Sequence, residues 1–239
     1  MPTLDKPLYE DEWLLALHKP DSIPVHPTGI FYFSSMVMLA RETFNNPELT
    51  PLHRLDLETD GVLLFAKQKG YIRPFHQLFE SHAVQKSYSA LVHGKFPDQT
   101  KEISGWIAPC TDSLIHTKLW LYPKGRGPKS ITRIKAAGKR GRFSELQLEP
   151  VTGKTNQLRV HLAATGHHIV GDKKYDPDES IFLNWLAHRD FQRLQSTLVL
   201  PRQALQCTSM GFDHPFSKAP LTIQTRPETW VKKTEAAFQ

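Results

Sequence analysis

The sequence is poor in cysteine: only Cys110 and Cys207 occur in 239 residues, and neither stands in a CxxC or His/Cys metal spacing. Two thiols cannot build a disulfide framework, so a reducing compartment, the cytoplasm, is the expected home. No apolar run is long enough to span a bilayer; the longest mostly apolar stretch, Ile30 to Ala40, is broken by Ser34 and Ser35. The first ten residues contain Asp5 and Glu10 and no apolar centre, so no secretory signal is expected. Internal repeats and low-complexity tracts are also missing. What is left is an ordinary globular composition, 39% hydrophobic and 23% charged.

The chain has a formal charge of +6, which favours polyanionic partners. The charge is local. Lys118 to Arg142 holds nine Lys or Arg and no Asp or Glu, so the rest of the chain is slightly acidic. Gly125, Gly127, Gly138 and Gly141 punctuate that segment, which reads as exposed loops around a strand near Ile131 to Ala137.

Periodicity sets out the elements. Trp13 to Leu17 is an apolar strand ending at Lys19-Pro20. Ser34 or Ser35 is placed to cap a helix carrying Val37, Ala40 and Phe44. Asn45 to Pro51 reads as a connection, and Val62 to Ala66 as a second apolar strand. Phe75, Leu78 and Phe79 have helical spacing with Pro74 in the first turn. Tyr88, Ala90 and Val92 alternate with Ser87, Ser89 and Leu91 in a strand ending at Gly94. Leu146 and Leu148 alternate likewise. A helix is expected over Thr155 to Thr165, closed by Gly166, with Leu158 and Leu162 sharing a face. Asp178 to Gln195 reads as helix and Cys207 to Phe212 as a last strand. Without a strict βαβ rhythm, the expected fold is α+β: a mainly antiparallel, mixed sheet core flanked by helices, in one domain.

The strongest local feature is His53-Arg54-Leu55-Asp56-Leu57-Glu58-Thr59-Asp60-Gly61, a polar loop before an apolar strand. Alone, an Asp in such a loop caps a turn or pairs with Arg54. Three further blocks follow it: Lys86-Ser87-Tyr88, Thr152 to His161 (TGKTNQLRVH) and Gly166 to Tyr175 (GHHIVGDKKY). Together, in this order, they resemble the RluA-type pseudouridine synthases over about Leu8 to Thr225. The family's signatures are HRLDxxTxG, KxY, TGRxHQLRxH and GHPIxGDxxY.

The resemblance implies the pseudouridine synthase catalytic fold in its compact form, without an S4 RNA-binding domain. It implies isomerisation of uridine to pseudouridine in structured RNA, tRNA or ribosomal RNA, by a monomer using neither metal nor cofactor. The reaction breaks the uracil–ribose C–N bond, turns the base and rejoins it through carbon. A carboxylate must assist at the sugar, by attack at C1′ or as a base; the resemblance assigns this to Asp56. It assigns Arg159 as the partner that favours the ionised carboxylate, and Tyr88 as the residue stacking on the flipped base. Arg54 would fill the space of the extruded uridine and contact phosphates. Leu158 would wall the pocket or belong to the core. His53, Lys154, Lys129 and Arg133 complete the expected RNA-binding set, the last two on the basic strip.

The pattern is departed from at Asp60 (usually Ser), Lys154 (Arg), Asn156 (His), His168 (Pro), Gln206 (His) and Cys207 (Ala). Asp60 puts a second negative charge near Asp56. The departures at Asp60, Asn156 and Gln206 keep a second reading in view, an RNA-binding protein or RNA chaperone on the same fold; a third is a nucleoside hydrolase that would release uracil. Glu58 and Asp60 read as turn residues rather than as the second carboxylate such a hydrolase wants.

Overall fold

The structure, a computed structural model, describes residues 4, 6–190, 192, 194 and 197–226. Its elements begin with strands β1 (Tyr9–Glu10) and β2 (Leu14–Lys19), helix α1 (Met36–Thr43), strands β3 (Thr50–Pro51) and β4 (Asp60–Ala66), and helix α2 (Lys69–Glu80). Strands β5 (Gln85–His93), β6 (Glu102–Pro109), β7 (Leu119–Tyr122), β8 (Lys129–Arg140) and β9 (Phe143–Pro150) follow. Helices α3 (Gln157–Ala164) and α4 (Glu179–His188) and strands β10 (Leu205–Asp213) and β11 (Pro220–Gln224) complete them. The fold is α+β, as the interleaved periodicities predict.

Two compact units are formed. Among the described residues, the first holds the chain up to Ser87 together with Gln206 to Arg226, and the second holds Tyr88–Leu205. In the first unit β1, β2 and β4 pair antiparallel, β4 pairs parallel with β10, and β11 returns antiparallel on β10. All seven residues of β4 are buried, which explains its continuous apolar run: a strand covered on both faces needs no alternation. Met36, Val37 and Ala40 of α1 pack with Leu15, Leu17, Leu63 and Phe65 in one core cluster. Phe75 of α2 packs edge-on against Phe212 and His214.

Gly61 is where β4 meets β10. Its φ is +115°, and a Cβ there would run into the Cys207 carbonyl oxygen. Gly61→Ala is therefore expected to destabilise the protein by about 3 kcal/mol or more, since the collision is with backbone and the φ is strained. Equilibrium denaturation checks this; a loss under about 1 kcal/mol would contradict the close pairing.

The second unit is an antiparallel sheet in the order β5-β9-β8-β6-β7. Its main core cluster includes Ala90, Leu91, Val92, Leu146, Leu148, Leu158 and Leu162. A smaller cluster joins Ile107, Val160 and Tyr175. The β8–β9 hairpin carries a register shift between Ile134 and Ala136, beyond which β8 is exposed.

Several local expectations need correction. Ser35 does stand at the N-cap of α1, but its side chain makes no cap bond. The backbone carbonyls of Pro24 and Val25 take the Met36 and Val37 N–H groups instead, at 2.9 and 3.1 Å. Pro74 lies inside α2 rather than in its first turn, because the helix begins back at Lys69. Asn156 is left-handed, with φ 54°, so α3 begins only at Gln157. Leu91 is buried like Ala90 and Val92: backbone bonds with Ala204 and Val170 enclose it, and the expected alternation is lost. The expected helix from Asp178 is broken at Arg189, also left-handed; Gln192 and Leu194 are helical again beyond it, and Gln195 lies outside the described residues. The strand through Cys207 is not the last, since β11 follows it.

Candidate active site

The loop carrying Asp56 is tied down residue by residue within the first unit. Leu52 and Leu55 are buried anchors. Leu52 N–H donates to Leu64 O at 2.8 Å, and Leu64 N–H donates to His53 Nε2 at 3.2 Å. The His53 ring also stacks on Phe79, with centroids 5.4 Å apart. Burial, aided by the positive charge of Lys86, pushes the His53 pKa down to about 3, so the ring is neutral and able to accept that bond. In the structure His53 thus serves the loop.

Beyond it, Arg54 is exposed and Asp56 is half-buried. Thr59 N–H closes a turn on Asp56 O at 3.1 Å. Leu57 O accepts twice, from Ser22 N–H at 3.0 Å and from Lys19 Nζ at 2.9 Å. Sequence reasoning treats Lys19 as the polar end of a strand; in fact it is fully buried. Its ammonium also donates to Pro20 O at 2.9 Å. Burial lowers the Lys19 pKa to about 8, against the opposing charges of Asp60, Asp21, Asp56 and Glu58.

Asp60 is no exposed turn residue either. It is 5% exposed, and its Oδ2 accepts from Gln206 Nε2 at 2.8 Å and lies 4.0 Å from His18 Nε2. Two departures from the family pattern, Asp60 and Gln206, therefore meet each other. Lys86 of the KxY block is half-buried in this unit, and desolvation lowers its pKa.

In the second unit Arg159 is gripped by Asp172. Nε donates to Oδ2 at 2.7 Å and Nη2 to Oδ1 at 2.8 Å, a bidentate pair whose carboxylate is completely buried. Asn156 Oδ1 accepts from Nη1 at 3.3 Å, and the guanidinium lies 5.0 Å from the Tyr175 ring centroid. Burial alone would raise the Asp172 pKa, but Arg159 and the N–H groups of Lys174 and Tyr175 hold it below the usual carboxylate range. Asp172, Tyr175 and Asn156 are partners of Arg159 that sequence reasoning leaves without a role. All three lie in the quoted blocks, and that is the signal that would have found them.

Gln157 is a further structural tie. Its Nε2 donates to Ile131 O at 2.9 Å, and its Oε1 accepts from Thr152 Oγ1 at 2.6 Å and from Lys154 N–H at 3.1 Å. This fixes the loop that holds half-buried Lys154. Leu158 sits in the core cluster, and Tyr88 is half-buried against that same cluster, opposite Leu148 on β9.

The basic strip is less uniformly positive than its composition suggests. Lys118 turns inward, 7% exposed, and pairs with Glu179 at 2.8 Å, so it cannot track phosphates. On the exposed hairpin Lys135 faces Glu149 and Arg140 faces Glu145, each at 3.0 Å, while Arg133 lies 3.9 Å from Glu102. Lys129 lies 5.9 Å from the Trp106 ring centroid.

Residues 13–164 match the protein family described as RNA pseudouridylate synthase. The chain belongs to this family. Among named members, it is 33% identical to ribosomal large subunit pseudouridine synthase C of Buchnera aphidicola subsp. Baizongia pistaciae, over 95% of this chain and 68% of that protein. The synthase C of Vibrio vulnificus is 31% identical, over 90% of this chain and 64% of that protein. Mouse pseudouridylate synthase RPUSD2 is 35% identical over 71% of this chain but only 30% of its own length. The chain thus spans about two thirds of the bacterial synthases and under a third of the mouse one. Human RNA Pseudouridylate Synthase Domain Containing 4 shares the fold, with a TM-score of 0.72 at 21% identity over 97% of this chain and 92% of that one. Members of the RNA pseudouridylate synthase family are isomerases, and no helix among the described residues is long and apolar enough to cross a membrane.

Proposed function

We propose that this chain converts uridine to pseudouridine in ribosomal RNA, with Asp56 as the carboxylate acting at the ribose and Arg159 and Tyr88 as its catalytic partners. The observation that carries the reading is the Asp56 loop. In a member of this family, a half-buried carboxylate stands on backbone fixed by Lys19, Ser22 and Thr59 before any substrate is bound. Such preorganisation is what a group acting on one sugar carbon requires.

In this reading Asp56 assists departure of uracil N1 from C1′, the base turns, C5 bonds to C1′, and the C5 proton is lost as N1 gains one. Atoms and charge balance without a cofactor or metal. Tyr88 holds the turned base by stacking, and Arg159 favours the ionised carboxylate. Arg54 fills the gap left by the flipped nucleotide, and Lys154, Lys129 and Arg133 hold phosphates. Leu158 acts as core support, and the protein works as a monomer and a single catalytic domain. The named bacterial relatives support ribosomal RNA over tRNA as the substrate.

Mapping pseudouridines in large-subunit ribosomal RNA from cells lacking this gene, before and after incubation with the purified protein, tests the reading. New pseudouridine at a defined uridine, without free uracil, is expected. Release of uracil would make it a hydrolase, and RNA bound without conversion would make it a binding protein.

A further inference from the structure

We propose that Tyr32 and Phe33, adjacent exposed rings on the loop before α1, form a stacking platform for an unpaired RNA base beside the uridine being converted. The inference rests on the reading of the chain as an RNA-converting enzyme whose reaction centre is Asp56.

The rings are conspicuous by their exposure, 56% for Tyr32 and 70% for Phe33. Every other described Phe, Tyr or Trp is at least partly buried. Single apolar side chains at a surface need no explanation, but two neighbouring rings left in water do. They meet edge to face, with centroids 5.0 Å apart and planes at 78°. That contact uses up one ring face where stacking would use two, so other faces stay open to a third ring. The loop beneath them is fixed. Met36 N–H donates to Pro24 O and Val37 N–H to Val25 O, so its two ends meet. Val25, Met36 and Val37 are buried in the core cluster of the first unit. Phe31 N–H closes a turn on Thr28 O at 2.9 Å. A platform held in this way costs less entropy to order when a ligand arrives.

The same segment is attached to the Asp56 loop. Ser22 N–H donates to the carbonyl of Leu57, the exposed residue that follows Asp56, at 3.0 Å. Further along, exposed His26 is near enough to Arg54 for that charge to lower its pKa, after partial desolvation as the larger cause. Charge and area select the occupant. From Ser22 to Arg41 there is no Asp or Glu, so the loop itself does not repel a phosphate backbone, and Arg54 attracts one. Turning a nucleotide out of its stack leaves the neighbouring base with one bare face, and an aromatic ring covers that face whatever the base. A second copy of the chain fits less well: two rings bury at most about 500 Å², short of the about 800 Å² per partner of a stable interface.

The test titrates the purified protein into an oligouridylate carrying one central 2-aminopurine, whose fluorescence is quenched when it stacks on a ring. Wild type should quench it. The double variant Tyr32→Leu, Phe33→Leu keeps the apolar bulk and removes the rings; it should bind about ten-fold more weakly and leave most of the fluorescence. Its slope of log affinity against log salt should match wild type, because no cation is lost. Exchanging the rings, Tyr32→Phe with Phe33→Tyr, should preserve both affinity and quenching. An oligouridylate left unquenched by wild type, or bound and quenched equally by the leucine variant, overturns the proposal. So does a fall in thermal midpoint that accounts for the lost affinity, which would make the rings structural. A wild-type dimer in sedimentation that the leucine variant dissolves assigns the rings to a second copy instead. Binding is read without turnover, so the loop is judged separately from Asp56: conversion retained in Asp56→Asn removes that residue from the chemistry and leaves the stacking result standing.

Discussion

Asp56→Asn is expected to reduce pseudouridine formation by at least about a thousand-fold while leaving RNA affinity within a few-fold of wild type. The amide is isosteric but can neither attack C1′ nor accept a proton from the sugar. The turn is closed through the backbone, on Asp56 O, and the clamps fall on Leu57 O. Thermal stability should therefore stay close to wild type. If the loop faces RNA, as proposed, loss of one negative charge would tighten binding. Single-turnover conversion and filter binding on the same RNA separate the two effects. Conversion above about a tenth of wild type would remove Asp56 from the chemistry; a matching collapse in affinity would make it a binding residue instead.

Asp172→Asn should be the most damaging change in the second unit. The Arg159–Asp172 pair is bidentate, with side chains 13% and 0% exposed, and the variant leaves a guanidinium facing a neutral amide. Breaking a buried pair by removing one charge costs about 3–5 kcal/mol. Asp172 Oδ1 also accepts from Lys174 and Tyr175 N–H at 3.1 and 3.2 Å, so the turn that follows loosens too. The pH dependence has a definite sign. The folded pKa of Asp172 lies below its unfolded value, so its stabilisation is fully present above about pH 4 and is lost as pH falls through the folded value. Wild type should therefore lose, towards pH 3, part of the margin it holds over the variant at pH 7. Denaturant melts at both pH values check this, and a variant within about 1 kcal/mol of wild type at pH 7 would contradict the role given to the pair.

How much of this was legible in the sequence depends on how far each partner lies along the chain. Strand β4, the helix after Asn156 and its stop at Gly166 were readable because periodicity and a C′ glycine are local signals. The family blocks were readable because each is contiguous. The fate of Asp60 was not, since its partner Gln206 lies 146 positions away and only a parallel pairing of β4 with β10 brings them together. Lys19 misled for a related reason: a lysine after an apolar run reads as an end in solvent, and only the Leu57 carbonyl shows why it is buried. Ser35 misled because backbone carbonyls took the work its hydroxyl would have done. Strand β7, with four residues, is too short to show a period, and β6 is interrupted by Gly105 and ends at Pro109.

The β8–β9 hairpin has a consequence for how RNA is chosen. Arg133, Lys135 and Arg140 come with Glu102, Glu149 and Glu145 already beside them, so a phosphate arriving at any of these three would have to displace a carboxylate. Each contact becomes an exchange of one anion for another rather than the filling of an empty charge. A random polyanion gains little from such a trade. If RNA lies there, as proposed, one whose phosphates are spaced to relieve several pairs together would gain from each, and the hairpin would sort by shape what its bare composition would only attract.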